Sequence, residues 1–418
     1  MPKNVLAMSS SYIAYVRGLL RLHQLDCDKR SESDEAEAVR DSLEAPWSLL
    51  SKSERERIKG LSADLYGISA SAPAVAPTNE SQRAVQEAME ARNNGSWDES
   101  LAVIRTFENQ FEPGMIASVR GSVWMEAGDS LTATVFFKHA YELHKDNDNY
   151  LCMYLSTLAS AEPAQALRLA EEILQAAGAN SPEVVTKAAD ICLMSTKSLP
   201  DSELLPKLEL LAEILEDVVS RLEQKQPPNQ SVFAQAVTLA AFCQDGLGKS
   251  SAALRLYNLG VAANPRNDAL LVARGILQYG RSNSAIRDFR LAIQLKSPLV
   301  WPSFFLGHHY LTNEQYEDCL KVCEQALNMD SSNSLNAALY EWIGISRSEL
   351  GMPAEKVRDA FEEAVRLDPE NDRIRKNFAE FESAVDGEMT AQRWERLPVS
   401  MFKLMGRKMH RDSLAVAA

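Results

Sequence analysis

From about residue 79 onward, small and large apolar residues recur in a fixed order along the chain. A small residue is followed four positions later by a large apolar residue, and three positions after that by another small one. Spacings of four and three place all of these residues on one face of a helix. The clearest copies are Ala133, Phe137, Ala140; Ala253, Tyr257, Gly260; and Ala285, Phe289, Ala292. This region is therefore predicted to be all-α.

Most successive copies of this face lie about 33 residues apart, and a regular period of this size indicates a solenoid of antiparallel helix pairs. Small residues let the two helices of a pair approach closely, and the larger residue fills the gap against the next pair. The fourth pair is irregular, because its second half is one long amphipathic run that ends at Gln226-Pro227-Pro228. We predict about eight pairs, near 79–112, 114–146, 148–178, 182–225, 230–264, 268–297, 300–331 and 334–369.

One unit, residues 300–333, carries a more specific signature. Leu306, Gly307 and Tyr310 match the L-G-x-x-Y of the first helix in a tetratricopeptide repeat. Prolines follow several predicted second helices, as is common in such repeats: Pro265, Pro298 and Pro369. Over residues 79–369 the chain resembles the tetratricopeptide family. The resemblance implies a right-handed helical solenoid that acts as a binding scaffold, with first helices lining a concave groove.

The segments on either side of the repeats differ from them in composition. Residues 1–66 are predicted to form a small helical module, which resembles a short module on bacterial proteins, and residues 67–82 read as an Ala/Pro/Ser linker. A capping helix with Asp372 as its N-cap is expected over 370–387. Residues 388–418 form a basic, methionine-rich tail.

Within the N-terminal module, the second helical stretch opens with Ser53-Glu-Arg-Glu56, a capping-box pattern. Its periodicity predicts that Ile58, Leu61 and Leu65 are buried. The module is small and poor in polar clusters, which disfavours an enzyme active site there.

Composition narrows the class of partner. Among 418 residues, 58 are acidic and 44 basic, giving a net charge of −14, and such a surface repels the phosphates of nucleic acid. The six cysteines are scattered without a C-x-x-C pair, which favours a reducing compartment. Arg17 and Arg21 interrupt the apolar N-terminus, and no stretch approaches the roughly 20 apolar residues of a membrane span. We expect a soluble, cytoplasmic protein.

Two patterns resemble cofactor sites, but a turn explains the first of them better and helix packing the second. Gly248-Lys249-Ser250 matches the end of a phosphate-binding loop, but Cys243 stands where that loop requires glycine. We therefore predict a turn between helices and no bound nucleotide. His308, His309, Cys319 and Cys323 offer four zinc-ligand types, but both cysteines occupy packing positions of a second helix, where free cysteine serves as a small hydrophobe. No cofactor and no metal are predicted.

Carrying the family's groove positions over repeat by repeat gives a predicted partner groove of aromatic and aliphatic side chains. Its residues are Phe242, Ile276, Tyr279, Trp301, Phe304, His308, Trp342 and Ile345. An apolar groove of this kind suits a peptide or an amphipathic helix. The charged clamp with which some family members hold a terminal carboxylate is absent, since its positions in the second repeat hold Ser118 and Ser122.

The predicted function is a noncatalytic scaffold or adaptor with a protein or peptide partner, without a nucleic acid or small-molecule substrate. Two alternatives remain: a regulatory subunit whose N-terminal module docks an enzyme or sensor, and an enzyme with its site in that module. The basic tail contrasts with the acidic body, so we hypothesise that it folds back on the solenoid or docks a partner. A disordered tail is the alternative, and membrane contact is disfavoured because the segment is short.

Overall fold

The computed structural model describes residues 8–69, 78–224, 229–329, 331–387, 394–399 and 402. Within these ranges all regular structure is helical, which confirms the predicted all-α class. The helices form two units, Met1–Ser195 and Thr196–Ala418. The boundary between them falls inside the fourth predicted pair, where the sequence predicts irregularity.

The first unit contains four N-terminal helices, three helix pairs and one further helix among its described residues. The N-terminal helices are α1 (Ser10–Cys27), α2 (Asp34–Ser42), α3 (Glu44–Leu49) and α4 (Lys52–Ser69). The pairs are α5 (Asn79–Asn93) with α6 (Trp97–Phe107), α7 (Pro113–Glu126) with α8 (Ser130–Leu143), and α9 (Asp148–Ala161) with α10 (Pro163–Gln175). The last helix is α11 (Pro182–Met194), and 3-10 turns occupy Glu108–Gln110 and Ser195–Ser198.

The second unit begins with the long amphipathic helix α12 (Asp201–Gln224), which packs against the first helix of the next pair. The pairs are α13 (Gln230–Gly246) with α14 (Ser250–Ala263), α15 (Asp268–Gln278) with α16 (Ser284–Gln294), α17 (Trp301–Thr312) with α18 (Tyr316–Ala326), and α19 (Asn333–Glu349) with α20 (Ala354–Leu367). The helix α21 (Asp372–Val385) follows them. No described helix has the length and apolar character needed to cross a bilayer.

Small residues bring the two helices of a pair together, as the repeat pattern predicts. A Cβ added to Gly121 of α7 would lie 2.9 Å from the ring of Phe137 of α8, and Gly344 of α19 faces Phe361 of α20 at the same distance. Both phenylalanines are fully buried. Any larger residue at either glycine would push the two helices of the pair apart.

The N-terminal helices belong to the same unit as the first three pairs. Asp64 of α4 accepts two hydrogen bonds of 2.7 Å from Arg105 of α6 and lies 3.1 Å from the guanidinium of Arg120 of α7. The predicted burial of Ile58, Leu61 and Leu65 is confirmed. A buried carboxylate with two arginine partners therefore ties the module to the repeats.

Two predicted helix starts are wrong by one or two residues. The capping box of α4 is formed by Ser51 and Glu54, because the Ser51 amide donates to the Glu54 carboxylate at 2.9 Å and the Glu54 amide donates to the Ser51 hydroxyl at 3.3 Å. The N-cap of α21 is Asn371, and Asp372 is the first helical residue, where it pairs with Arg375. In both cases the sequence offers two polar residues close together, and only the backbone decides which one precedes the helix.

The glycine-lysine-serine triplet lies in the turn between α13 and α14, as predicted. Gly248 has a φ of +75°, and the Lys249 amide donates to the Gln244 carbonyl at 2.8 Å. This closure after a left-handed glycine is a common way to end a helix. The triplet is thus accounted for by chain reversal.

Candidate partner-binding groove

The centre of the candidate site is Phe402, whose side chain is fully buried. Its ring stacks on the imidazole of His308 with centroids 3.9 Å apart and planes 9° apart. Four further rings surround it at centroid distances between 5.0 and 5.8 Å, namely Tyr279, Phe304, Phe305 and Trp342. We call the surface formed by these five rings the aromatic groove. Burying one phenylalanine among such rings contributes about 2–3 kcal/mol.

The first helices of three successive repeats position these rings. Tyr279 directly follows α15, Phe304, Phe305 and His308 lie on α17, and Trp342 lies on α19. The positions 304 and 308 are one helical turn apart, so both side chains point to the same face. First helices of neighbouring pairs lie side by side, and this arrangement gathers the rings from distant parts of the sequence.

His308 connects the aromatic groove to the main chain of residues 394–402, which we call the C-terminal segment. Its Nε2 lies 3.0 Å from the Leu397 carbonyl oxygen, which can only accept, so Nε2 carries the proton. Nδ1 then accepts from the Tyr279 hydroxyl at 2.8 Å. Burial lowers the pKa of His308 to about 4, and the neighbouring charges of Arg373 and His309 act in the same direction. The ring is therefore neutral at pH 7 and serves as a hydrogen-bond donor.

Asn377 of α21 holds a second main-chain position of the same segment. Its side-chain oxygen accepts from the Glu395 amide at 2.7 Å, and its side-chain nitrogen donates to the Glu395 carbonyl at 3.0 Å. The remaining hydrogen of that nitrogen is donated to Glu341 at 2.7 Å. Asn377 is almost fully buried, both hydrogens of its side-chain nitrogen are donated and its oxygen accepts one bond, which fixes its orientation.

Glu341 orients this asparagine from α19. Its carboxylate is fully buried and forms an ion pair with Arg373. Burial raises the pKa of Glu341 to about 7, although Arg373 and Asn377 both favour its charged form. The carboxylate on Glu395 of the C-terminal segment acts in the same direction as burial.

The described residues of the C-terminal segment are 394–399 and 402. The Trp394 ring stacks on Phe361 with centroids 5.9 Å apart, and its indole donates to Glu349. Arg396 donates to the Tyr316 hydroxyl at 3.2 Å. The Phe402 amide donates to the Pro398 carbonyl at 2.9 Å. Residues 394–398 are thus non-helical, and this hydrogen bond sets the position of Phe402 relative to Pro398.

The predicted groove residues fall into two sets. Tyr279, Phe304, His308 and Trp342 contact Phe402. The other four do not belong to the aromatic groove: Ile276, Trp301 and Ile345 are buried in the core of the second unit, and Phe242 is half-buried on α13. A register shift of one residue turns a side chain by about 100°, so carrying positions over between repeats mixes groove and core residues.

Several residues of the site escaped the sequence reasoning. Phe305 and the polar set of Glu341, Arg373 and Asn377 were not singled out. Glu341 carries a usable signal, because it is the one charged residue in the apolar run Leu339–Ile345. A charge in such a run is buried only when it is paired.

The cysteines near this site serve packing, as predicted. Cys319 and Cys323 are fully buried, and the thiol of Cys319 donates to the Gly307 carbonyl at 3.4 Å. His308 does not share their surroundings, since its ring lies between Tyr279 and Phe402. No group of metal-ligating side chains is gathered in the described part of the chain.

No protein-family model and no curated protein matches the sequence. Solved structures similar to the chain include a tetratricopeptide repeat protein from Parabacteroides merdae, with 14% identity over 64% of this chain and 99% of the other, and a TM-score of 0.43. Yeast Tom70 is 12% identical over 81% of this chain and 76% of its own, with a TM-score of 0.33. A thermophilic repeat protein from Thermus thermophilus is 14% identical over 46% and 98%, with a TM-score of 0.30.

Proposed function

We propose that this chain is a noncatalytic protein-interaction scaffold whose aromatic groove binds a segment of a partner protein. The single observation that carries the proposal is the way in which the C-terminal segment lies on the groove. Asn377 and His308 hydrogen-bond to its main chain, and five rings enclose one of its side chains. A surface with these features is suited to binding a peptide.

The form of the contact favours an extended peptide over the amphipathic helix expected from sequence. In a helix, main-chain amides and carbonyls bond to each other, which leaves no amide–carbonyl pair for Asn377. An extended chain presents both groups of one residue at its edge, and these groups are the ones that Asn377 binds. The peptide-recognition mode resembles strand addition with a pocket for one side chain.

The test is selection of peptides by the exposed groove. A chain ending at Gly387 is presented with a displayed library of random peptides, beside the same chain carrying Phe304→Ala and His308→Ala. We expect the parent to enrich peptides that the double variant does not bind. Leu210→Ala, at a side chain that is 56% exposed on α12, is the matched control and is expected to retain them.

Helix content and melting temperature are recorded for every variant, so that a loss of binding is separated from a loss of fold. If a folded parent enriches no peptide, or if the double variant enriches the same peptides, the partner site does not lie in the aromatic groove.

A further inference from the structure

We propose that the C-terminal segment is a built-in substitute for the partner, so that the partner carries the same chemistry and must displace the segment to bind. The partner's segment would be extended, with a proline that starts one helical turn and a phenylalanine four residues after it. This inference rests on the proposed function and adds to it the identity of the recognised motif and a regulatory role for the chain's own end.

The main-chain contacts of the segment are transferable to another peptide. Asn377 binds the amide and carbonyl of residue 395, and His308 binds the carbonyl of residue 397. These groups are identical in every peptide of the same backbone conformation, since they involve no side chain of the segment. A partner segment therefore meets the same three hydrogen bonds when it takes the same path.

The strongest side-chain requirement is at Phe402, with smaller contributions from the partly buried Trp394 and Leu397. Phe402 is fully buried, whereas Glu395, Pro398 and Val399 are exposed. The hydrogen bond from the Phe402 amide to the Pro398 carbonyl sets the spacing between proline and ring. Proline has a fixed φ suited to the first turn of a helix and lacks the amide that would otherwise be unpaired there. The motif is therefore Pro-x-x-x-Phe, preceded by extended chain.

Charge adds a weaker preference at the edge of the groove. Arg396 lies 3.8 Å from Glu314, and Trp394 donates to Glu349. Both carboxylates belong to the helical body, which shares the chain's overall negative charge. A partner segment with arginine or lysine two residues before the proline matches this edge.

Covalent attachment makes the segment a competitor that the partner must overcome. A segment joined by a short linker has an effective concentration in the millimolar range. A free peptide with a Kd of about 10 µM would thus bind the intact chain about 100-fold more weakly than a chain without the segment. The C-terminal segment thereby sets a threshold that weak or non-specific peptides do not reach.

The experiment uses the full chain with a protease site inserted between residues 388 and 393. The protein is purified folded and then cut, and a fluorescent peptide of residues 393–405 is added. We expect the peptide to replace the cut fragment and to bind the cut chain with a micromolar Kd, measured by fluorescence anisotropy. Its binding to the uncut chain should be at least about 30-fold weaker. The Phe402→Ala peptide should bind at least about 30-fold more weakly, and the control peptide Val399→Ala within about threefold.

The intact chain carrying Phe402→Ala provides a second measurement that does not depend on cleavage. In this chain the segment has lost its buried ring, so the wild-type peptide is expected to bind about as tightly as to the cut chain. If the cut fragment is released only on unfolding and Phe402→Ala does not open the groove, the segment is an integral part of the fold and the inference fails.

The peptides selected by the chain ending at Gly387 separate this inference from the proposed function. Enrichment of Pro-x-x-x-Phe peptides that compete with the 393–405 peptide supports both. Peptides that bind the aromatic groove but lack Pro-x-x-x-Phe, and that do not release the segment from the intact chain, overturn the inference and leave the proposed function standing. A folded chain that binds neither the library nor the 393–405 peptide overturns both.

Discussion

The N-terminal helices and the C-terminal segment are attached to the repeats by different means. Asp64 of α4 is fully buried between Arg105 and Arg120, so charge holds the N-terminal helices in place. The C-terminal segment is held by the ring of Phe402 and by hydrogen bonds to its main chain. One attachment depends on a buried charge, and the other on contacts that many peptides can reproduce.

This difference has a thermodynamic consequence. Removing Asp64 would leave the buried guanidinium of Arg120 with only the partly exposed carboxylate of Glu108 as a counter-charge and would break both hydrogen bonds of Arg105, which is costly. Releasing the C-terminal segment exposes the rings of Phe402 and Trp394 and returns main-chain groups to water, which solvates them. Breaking the N-terminal attachment therefore leaves a buried charge poorly compensated, whereas release of the C-terminal segment does not.

The largest effect is expected for Asp64→Ala. Because Arg120 loses its fully buried partner and keeps only Glu108, the first unit should lose about 3 kcal/mol of unfolding free energy, measured by urea denaturation. Asp98→Ala is the matched control, since Asp98 pairs with Arg57 but its side chain is 61% exposed, and such pairs contribute at most about 1 kcal/mol. Equal losses in the two variants would mean that Asp64 does not hold the N-terminal helices.

Phe402→Ala should weaken the docking of the C-terminal segment by about 3 kcal/mol. Amide hydrogen exchange in residues 394–402 is then expected to accelerate about 100-fold, while exchange in α7 and α8 stays as it was. Unchanged protection of the segment would show that Phe402 is not its anchor, and the contrast between the two ends would disappear.

His308 and Glu341 should have opposite effects on the pH dependence of the stability of the second unit, so the wild-type profile is expected to be nearly flat between about pH 4.5 and 6.5. The folded pKa of His308, about 4, lies below its ordinary 6.5, so its contribution is complete above pH 6.5 and is lost as pH falls towards 4. The folded pKa of Glu341, about 7, lies above its ordinary 4.5, so its contribution is complete below pH 4.5 and is lost as pH rises through 7. Each shift corresponds to at most about 3 kcal/mol.

Melting temperatures from pH 4 to pH 8 measure both contributions, the acid limit set by His308 and the alkaline limit set by Glu341. Glu341→Gln keeps an acceptor for Asn377 and removes the alkaline limit, so the stability of this variant should rise from pH 4 to pH 6.5. His308→Phe removes the acid limit, so the stability of this variant should fall from pH 4.5 to pH 7. The neighbouring charges Arg373, His309 and Glu395 remain in both variants. An unchanged pH profile in either variant would assign that limit to another group.

The smallest effect is expected for Arg396→Ala at the edge of the groove. Its partner Glu314 is 71% exposed, so the substitution should cost about 0.5 kcal/mol of peptide affinity. The difference should vanish in 1 M salt, because screening removes attraction between exposed charges. A large loss that persists in high salt would mean that charge, and not the ring of Phe402, dominates the C-terminal attachment.

Much of the fold was predictable because its signals are local. The spacing around Phe137 and Phe361 predicts helix pairs, and the turn at Gly248 follows from the residues that flank it. The two helix starts at Ser51 and Asn371 were missed by one or two residues, since neighbouring polar residues offer equivalent caps.

The site was predictable only in part. Tyr279, Phe304, His308 and Trp342 were predicted to line a partner groove from repeat positions alone; all four contact Phe402, and their role in binding a partner stays a prediction. The pairing of Asn377 with Glu341 and Glu395 joins residues from α21, α19 and the C-terminal segment. No periodicity connects positions so far apart, and a hydrogen bond depends on distances that a pattern does not contain.

By itself, the sequence determined the helices, most of their pairing and the side of each helix that faces its neighbour, because each follows from the 3.6-residue repeat of the α-helix. The tertiary structure alone decided which apolar faces are core and which are groove, and what covers the groove. A hydrophobic side chain is buried equally well by the next repeat or by a peptide, since the hydrophobic effect has no direction. Only the positions of the helices, with Phe402 among their rings, distinguish a core face from a groove face.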